Sequence, residues 1–312
     1  MRDDTTLSGI LLVDKSPGPT SHDVVLRVRR VLRTRRVGHT GTLDPFASGL
    51  LVLCVGRATR LSEYMHIPAK RYEAELRLGV ETESHDREGA VVSVSDAWKG
   101  LTLDRVGEVL RSLEGTGVQQ PPAYSAKRLG GQRAHSLARA GVRVDLAPAR
   151  ITIHSLIVLQ FEPPMLRLEA RVSTGTYVRA LARDLGRQLG CGAHLTSLRR
   201  TSIGDIDVRE GLPDQLLAES TDRERILSSP AWREPGDVLS WLPSRRLKAD
   251  ELALVETGRP VDGGGVVSPG PPANSSGWAD DERPVRLMYG DRLVGIAQRK
   301  DDRLQPRKVL LD

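Results

Sequence analysis

Val37-Gly38-His39-Thr40-Gly41-Thr42-Leu43-Asp44-Pro45-Phe46-Ala47-Ser48-Gly49 holds one carboxylate, one imidazole and three glycines. Pro45 disfavours a helical backbone at the residue before it, so Asp44 is expected in extended or turn geometry. Gly38, Gly41 and Gly49 permit close approaches that other residues resist. Thr40 and Thr42 can hold such a turn through local hydrogen bonds. The apolar run over residues 50–55 that follows reads as a buried strand. Asp44 is therefore presented from a stiff loop against a core strand, a common place for reactive groups. An isolated Asp-Pro would be ordinary turn chemistry.

Working towards the N-terminus, residues 9–14 read as a first buried strand, and Lys15-Ser16-Pro17-Gly18-Pro19 turns the chain. Ser21 is the expected N-cap of a helix, with Asp23 in its first turn. Val24, Val25, Val28 and Leu32 form its apolar face. Arg27, Arg29, Arg30 and Arg33 are expected outside, solvated or against phosphate.

Towards the C-terminus, residues 72–78 alternate, with Tyr72, Ala74, Leu76 and Leu78 on one face. Thr102 is expected to cap a helix with Leu103, Val106, Val109, Leu110 and Leu113 on its buried face. Gln119-Gln120-Pro121-Pro122-Ala123-Tyr124-Ser125-Ala126-Lys127 contains paired prolines and reads as a rigid loop. A helix-like stretch, residues 134–139, comes next. Residues 151–159 and 166–172 read as strands. From about Thr176 the spacing becomes helical and ends near Gly190, with Arg179 and Arg183 four apart on one face. Past about residue 211 the pattern weakens, and residues 232–243 look like a connection. Beyond it, a Gly/Pro/Ser-rich stretch to about Ser276 and apolar runs at 285–288 and 293–298 indicate a small β domain. Many strands with fewer helices indicate an α+β fold.

The 312 residues allow one large and one small domain, and 39% hydrophobic content supports a sizeable core. The net charge of +6 and pI near 9.6 favour a polyanionic partner such as nucleic acid. Of the 46 basic residues, 39 are arginine, which suits bidentate phosphate contact and base stacking. Cys54 and Cys191 form no CxxC pair, so neither a disulfide framework nor a cysteine-rich zinc site is expected. No zinc-protease, zinc-deaminase, Walker or dinucleotide-binding signature is present. There is no long apolar run at the N-terminus. A cytoplasmic protein with no metal, no cofactor and no membrane segment is the expectation.

The stretch from Gly38 to Gly49 resembles the active-site motif of the TruB family of tRNA pseudouridine synthases. Other stretches resemble that family in the same order. Lys15-Ser16-Pro17-Gly18-Pro19-Thr20-Ser21 is similar to its Lys-Pro-x-Gly-x-Thr-Ser, with the prolines placed differently. Tyr72 and the strand after it, then Thr82, Ser84 and Asp86, resemble a second motif. Gln119–Ala126 resembles Gln-x-Pro-Pro-x-Tyr-Ser-Ala. Gly175-Thr176-Tyr177-Val178-Arg179 resembles Gly-Thr-Tyr-Ile-Arg, and residues 195–201 resemble a Leu-Arg-Arg-Thr motif.

This resemblance implies that Asp44 is the catalytic nucleophile, that Tyr72 stacks on the target base and is essential to turnover, with the C5 proton a candidate for it to accept, and that Arg179 completes the catalytic set by pairing with the aspartate. It implies a pocket role for Tyr177 and an apolar base contact for Leu198. For Lys15 it implies a substrate or structural role. His39 is expected to fill the space left by a flipped nucleotide or to hold that nucleotide outside the helix. The implied fold is a mixed, mainly antiparallel synthase sheet over residues 1–240, with a PUA-like RNA-binding domain over 241–312. The implied partner is the T-arm of tRNA, modified at uridine 55. No protein partner is implied, and a monomer is expected.

Pseudouridine formation breaks N1–C1′, turns the base and joins C5 to C1′, with no redox change. A carboxylate can add at C1′, add at C6, or take a sugar proton towards a glycal; the sequence leaves all three open. A non-catalytic RNA-binding protein on the same scaffold, and a hydrolase releasing uracil, are the competing functions.

Overall fold

The structure, a computed structural model, describes residues 7–66, 68–125, 127–129, 131–142, 144–219, 222–268 and 283–311. Its main sheet counts eleven strands among the described residues, ordered 212–213, 9–15, 48–55, 193–203, 70–78, 165–172, 149–162 and 115–119 along its path. Neighbours run antiparallel except at two places. Strand Gly9–Lys15 pairs parallel with 212–213, and Ser48–Val55 pairs parallel with Ala193–Ile203. The expected α+β, mainly antiparallel class is the one observed.

The strands differ in how many of their faces are covered. Strand Ser48–Val55 is buried at every residue but its first, which explains its unbroken run of Leu and Val. Strand Lys70–Leu78 keeps one wetter face and alternates as expected. Helix Ser21–Leu32 packs Val24, Val25, Val28 and Leu32 inward. Its N-cap is Thr20 rather than Ser21, in a capping box with Asp23. The Ser21 hydroxyl instead donates to Leu43 O at 3.0 Å and accepts from Leu43 N at 2.9 Å. The helix start is thus bolted to the residue before Asp44.

Three further expectations need correction. Leu103 opens its helix at the surface, 53% exposed, and the buried face is made by Val106, Val109 and Leu110. Arg27 and Arg29 are not simply solvated: Arg27 pairs with buried Asp214 at 3.1 Å, and Arg29 donates to Val37 O at 2.9 Å. Residues 232–243 are more than a connection. Trp232 and Arg233 pair with Leu11 and Ile10, and the Trp232 indole fills the space where a side chain at Gly9 would sit.

The C-terminal residues form a second sheet of six strands among those described, ordered 261–262, 303–309, 292–300, 285–289, 244–246 and 266–267. It has its own apolar cluster around Val255, Leu287, Ala297 and Leu304. Helix Ala249–Glu256, which the strand pattern did not announce, is held by Glu251. That carboxylate caps Lys248 N and takes a two-point ion pair from Arg245, at 2.6 and 2.8 Å. The Gly/Pro/Ser-rich stretch falls largely outside the described residues.

Candidate active site

The loop carrying Asp44 is held from several directions. Gly18 N donates to Pro45 O at 2.8 Å, and Ala47 N closes a turn on Asp44 O at 3.1 Å. Arg200, 1% exposed, donates through Nε to Leu50 O at 2.7 Å and through Nη2 to Gly41 O at 3.0 Å. One guanidinium therefore grips the chain on both sides of the aspartate. Lys15 is fully buried, and its ammonium donates to Ser16 O, Pro19 O and Pro45 O at 2.8, 2.8 and 3.4 Å. All three of its N–H groups are spent on backbone, so the geometry fits the structural side of its expected role. Burial pushes the Lys15 pKa down to about 8, against the pull of Asp214 and Asp44.

Arg179 sits in the first turn of helix Val178–Gln188 and reaches three segments at once. Its Nε contacts Asp44 Oδ2 at 2.8 Å, and its Nη2 donates to Asp44 Oδ1 at 3.2 Å. Nη2 also donates to Tyr124 O at 2.6 Å, and Nη1 to Ser84 O at 3.1 Å. Asp86, from the same turn as Ser84, lies 3.5 Å from Nη1. The arginine side chain is 5% exposed while that of Asp44 is 33% exposed. The carboxylate is clamped from behind and open in front.

Burial raises the Asp44 pKa above the ordinary carboxylate value, and Asp86 adds to the rise; Arg179, which cannot lose its proton, opposes both. His85, beside Asp86, adopts a positive φ of 62°. Burial first, then Arg183, Arg187 and Arg179, pushes its pKa down to about 4, so it is neutral at physiological pH.

Tyr72 and Leu198 enter through the sheet. The 193–203 strand lies between 48–55 and 70–78, with Leu198 opposite Ala74 and Arg200 opposite Tyr72. Cross-strand partners share a face, so Tyr72, Leu198 and Arg200 do too. Arg200 reaches Gly41 O, so this is the face the Asp44 loop covers. Tyr72 is 7% and Leu198 6% exposed. Burial raises the Tyr177 pKa; Ser125 and Arg179 oppose the rise and Asp44 adds to it. His39 ends the short strand Val37–His39, paired to Leu53, five residues upstream of Asp44. Sequence reasoning named Asp86 and Arg200 only as parts of motifs. Their sequence signals, an Asp in the segment after Tyr72 and an Arg two residues past Leu198, carry no mark of a contact made across the fold.

Asp44 is thus clamped from behind by a buried arginine, on a loop that covers the sheet face carrying Tyr72 and Leu198. Residues 29–178 match the TruB family pseudouridylate synthase N-terminal domain, and residues 179–227 match the tRNA pseudouridylate synthase B C-terminal domain. The chain belongs to the TruB family. Among its relatives, tRNA pseudouridine synthase B of Aquifex aeolicus is 36% identical, over 98% of this chain and 100% of that one. The protein of the same name from Thermobifida fusca is 40% identical over 96% of this chain and 97% of its own. In structure, a chain of a Cbf5–Nop10–Gar1 complex superposes with a TM-score of 0.72, covering 97% of this chain and 85% of its own at 24% identity. That likeness is one of fold, and it spans both sheets. The family's 179–227 segment includes the 193–203 strand, so in this TruB chain it lies within the main sheet.

Proposed function

We propose that this chain isomerises uridine to pseudouridine at position 55, in the T-loop of tRNA. The observation that carries the reading is the Asp44–Arg179 pair, two-point and one-sided, in a chain of the TruB family. Asp44 acts as the nucleophile in its ionised form, oriented by a planar guanidinium that a lysine could not replace. The target base must leave its stack first, at a cost of a few kcal/mol. Stacking on an aromatic ring returns about 1–3 kcal/mol, which is the part assigned to Tyr72. Leu198 supplies apolar contact, Tyr177 lines the pocket, and His39 occupies the space the base vacates. Lys15 holds the loop. The RNA-binding reading is disfavoured because binding alone needs no buried carboxylate facing an anionic polymer. A uracil hydrolase would use such a carboxylate but needs a positioned water as well, and the product of the assay below separates it from the isomerase.

The chain acts as a cytoplasmic monomer on the tRNA T-arm, without a protein partner. Residues 1–240 form the catalytic domain, and 241–312 an RNA-contact domain. Among the described residues no helix is long and apolar enough to cross a membrane.

Joining C5 to C1′ displaces the hydrogen on C5. A T-arm RNA tritiated at uridine C5 is therefore expected to release label to water without added nucleotide, the RNA chain staying intact. Asp44→Asn should abolish release while keeping tRNA affinity, because phosphate contacts carry binding. Free uracil among the products would overturn isomerisation in favour of hydrolysis. Binding without release by the unaltered protein would overturn catalysis.

A further inference from the structure

The segment leaving strand Gly115–Gln119 is stitched to helix Val178–Gln188 by three sets of bonds. Arg183 Nη2 donates to Gln120 O at 3.1 Å and Arg179 Nη2 to Tyr124 O at 2.6 Å. The third set is made by the side chain of Gln119, which is 4% exposed. Tyr177 N donates to Gln119 Oε1 at 2.9 Å, and Gln119 Nε2 donates back to Tyr177 O at 3.2 Å. The amide thus pairs with one residue's main chain in the way a neighbouring strand would. Few side chains can do this: the pairing needs a donor and an acceptor side by side in one plane.

The partner residue is what makes this bond pair consequential. Tyr177 is the N-cap of the helix, and its own side chain makes no capping bond. Its carbonyl already receives Leu181 N at 3.0 Å, the first bond of the helix. The Gln119 amide uses that oxygen's second lone pair and satisfies the Tyr177 N–H, so it seats the peptide from which the helix begins. Arg179 follows two residues later, and any error in that seat reaches the guanidinium that clamps Asp44.

We propose that Gln119 is a positioning residue for the Asp44–Arg179 pair, acting through the main chain of Tyr177. This rests on the isomerase reading above. It adds a part for the Gln119–Ser125 segment, which otherwise reads as a rigid loop.

Glutamate at this position separates positioning from bulk. A carboxylate accepts from Tyr177 N but presents a lone pair to Tyr177 O, whereas a protonated carboxyl restores both bonds. The charged groups nearest position 119 are Arg179, Arg183 and Asp184 on the helix; Arg150 pairs with Val118 on the other face of the sheet, and Glu114, beyond the far end of the strand, accepts from Leu156 N. The two arginines are committed to Tyr124 O, Gln120 O and their own carboxylates. Burial of position 119 favours the protonated form.

The experiment measures single-turnover tritium release and tRNA affinity for the unaltered protein, Gln119→Ala and Gln119→Glu, from about pH 5 to about pH 8. Gln119→Ala is expected to slow release about tenfold to a hundredfold, with affinity changed less than about twofold. Gln119→Glu should be as slow at the alkaline end and recover towards the unaltered protein as pH falls. Thermal unfolding of each variant is followed in the same buffers. Variants that match an active unaltered protein at every pH overturn the positioning role and leave the isomerase reading standing. So does a loss confined to affinity, or a Gln119→Glu loss that ignores pH in a natively folded variant. An unaltered protein that releases no label overturns the isomerase reading, and the positioning role falls with it.

Discussion

Asp44 is under opposed influences, and their balance can be measured. Burial raises its pKa, Arg179 lowers it and Asp86 raises it again. With Asp44 acting in its ionised form as proposed, activity is expected to rise with pH through the Asp44 pKa, and the acid limb of kcat/KM is expected above the ordinary carboxylate range. Asp86→Asn removes one raising charge while keeping a polar group of the same size. The acid limb should move to lower pH, measured as kcat/KM for a T-arm RNA across the acid range. A limb that stays in place would mean that Asp44 does not feel the charge of Asp86. The contacts of Asp86 with Ser84 and Arg179 make some loss of rate at the plateau an expected companion.

At the scale of the element, the parallel contact between strands 48–55 and 193–203 decides where the Asp44 loop ends. Gly49 has φ 105° and pairs in register with Arg200. A Cβ there would stand 2.2 Å from Arg200 O and 2.7 Å from Arg200 N. These are backbone atoms of a central strand, so the clash cannot be relieved by moving a side chain, and the positive φ adds strain. Gly49→Ala is expected to destabilise the protein by about 3 kcal/mol or more, read from the urea midpoint. The loss should be accompanied by lower activity, because Arg200 grips Gly41 and Leu50 from this same point. A variant with an unchanged midpoint would mean that the two strands separate here at little cost.

Across the whole molecule, the two sheets are joined rather than strung together. Lys308 pairs with Glu63 at 2.7 Å, and Arg57 and Arg60 donate to Leu310 O and Val309 O at 3.3 and 2.9 Å. Leu293, Ile296 and Leu310 belong to the same apolar cluster as Leu239 and Leu242. Removing residues 241–312 is expected to weaken tRNA binding and flatten its salt dependence, because phosphate contacts go with it. It should also lower the unfolding temperature of the remaining core, since that seam becomes exposed. Unchanged affinity and salt slope would remove the RNA-contact role from the C-terminal domain. An unchanged unfolding temperature would show that the seam adds little to the core.

The sequence by itself determined the main elements and the family, and it singled out Asp44 as the candidate reacting group. Strand alternation at Tyr72–Leu78, the helical spacing after Tyr177 and the proline after Asp44 are local patterns, set by period and backbone sterics within a few residues. The motif order placed Asp44, Tyr72 and Arg179 in one family. Only the tertiary structure decided that Arg179 is shared among Asp44, Ser84 and Tyr124, that Lys15 faces inward, and that Arg200 spans the loop. It also moved the first N-cap from Ser21 to Thr20 and drew Trp232 onto Gly9. All but the cap, which Thr20 and Asp23 make between themselves, depend on a contact between residues far apart in the chain. Arginine, lysine and serine have the same local preferences whether they meet water or a distant carbonyl, so nothing in their neighbours announces the partner. The partner follows from which strands lie side by side, and that is settled when the whole core packs.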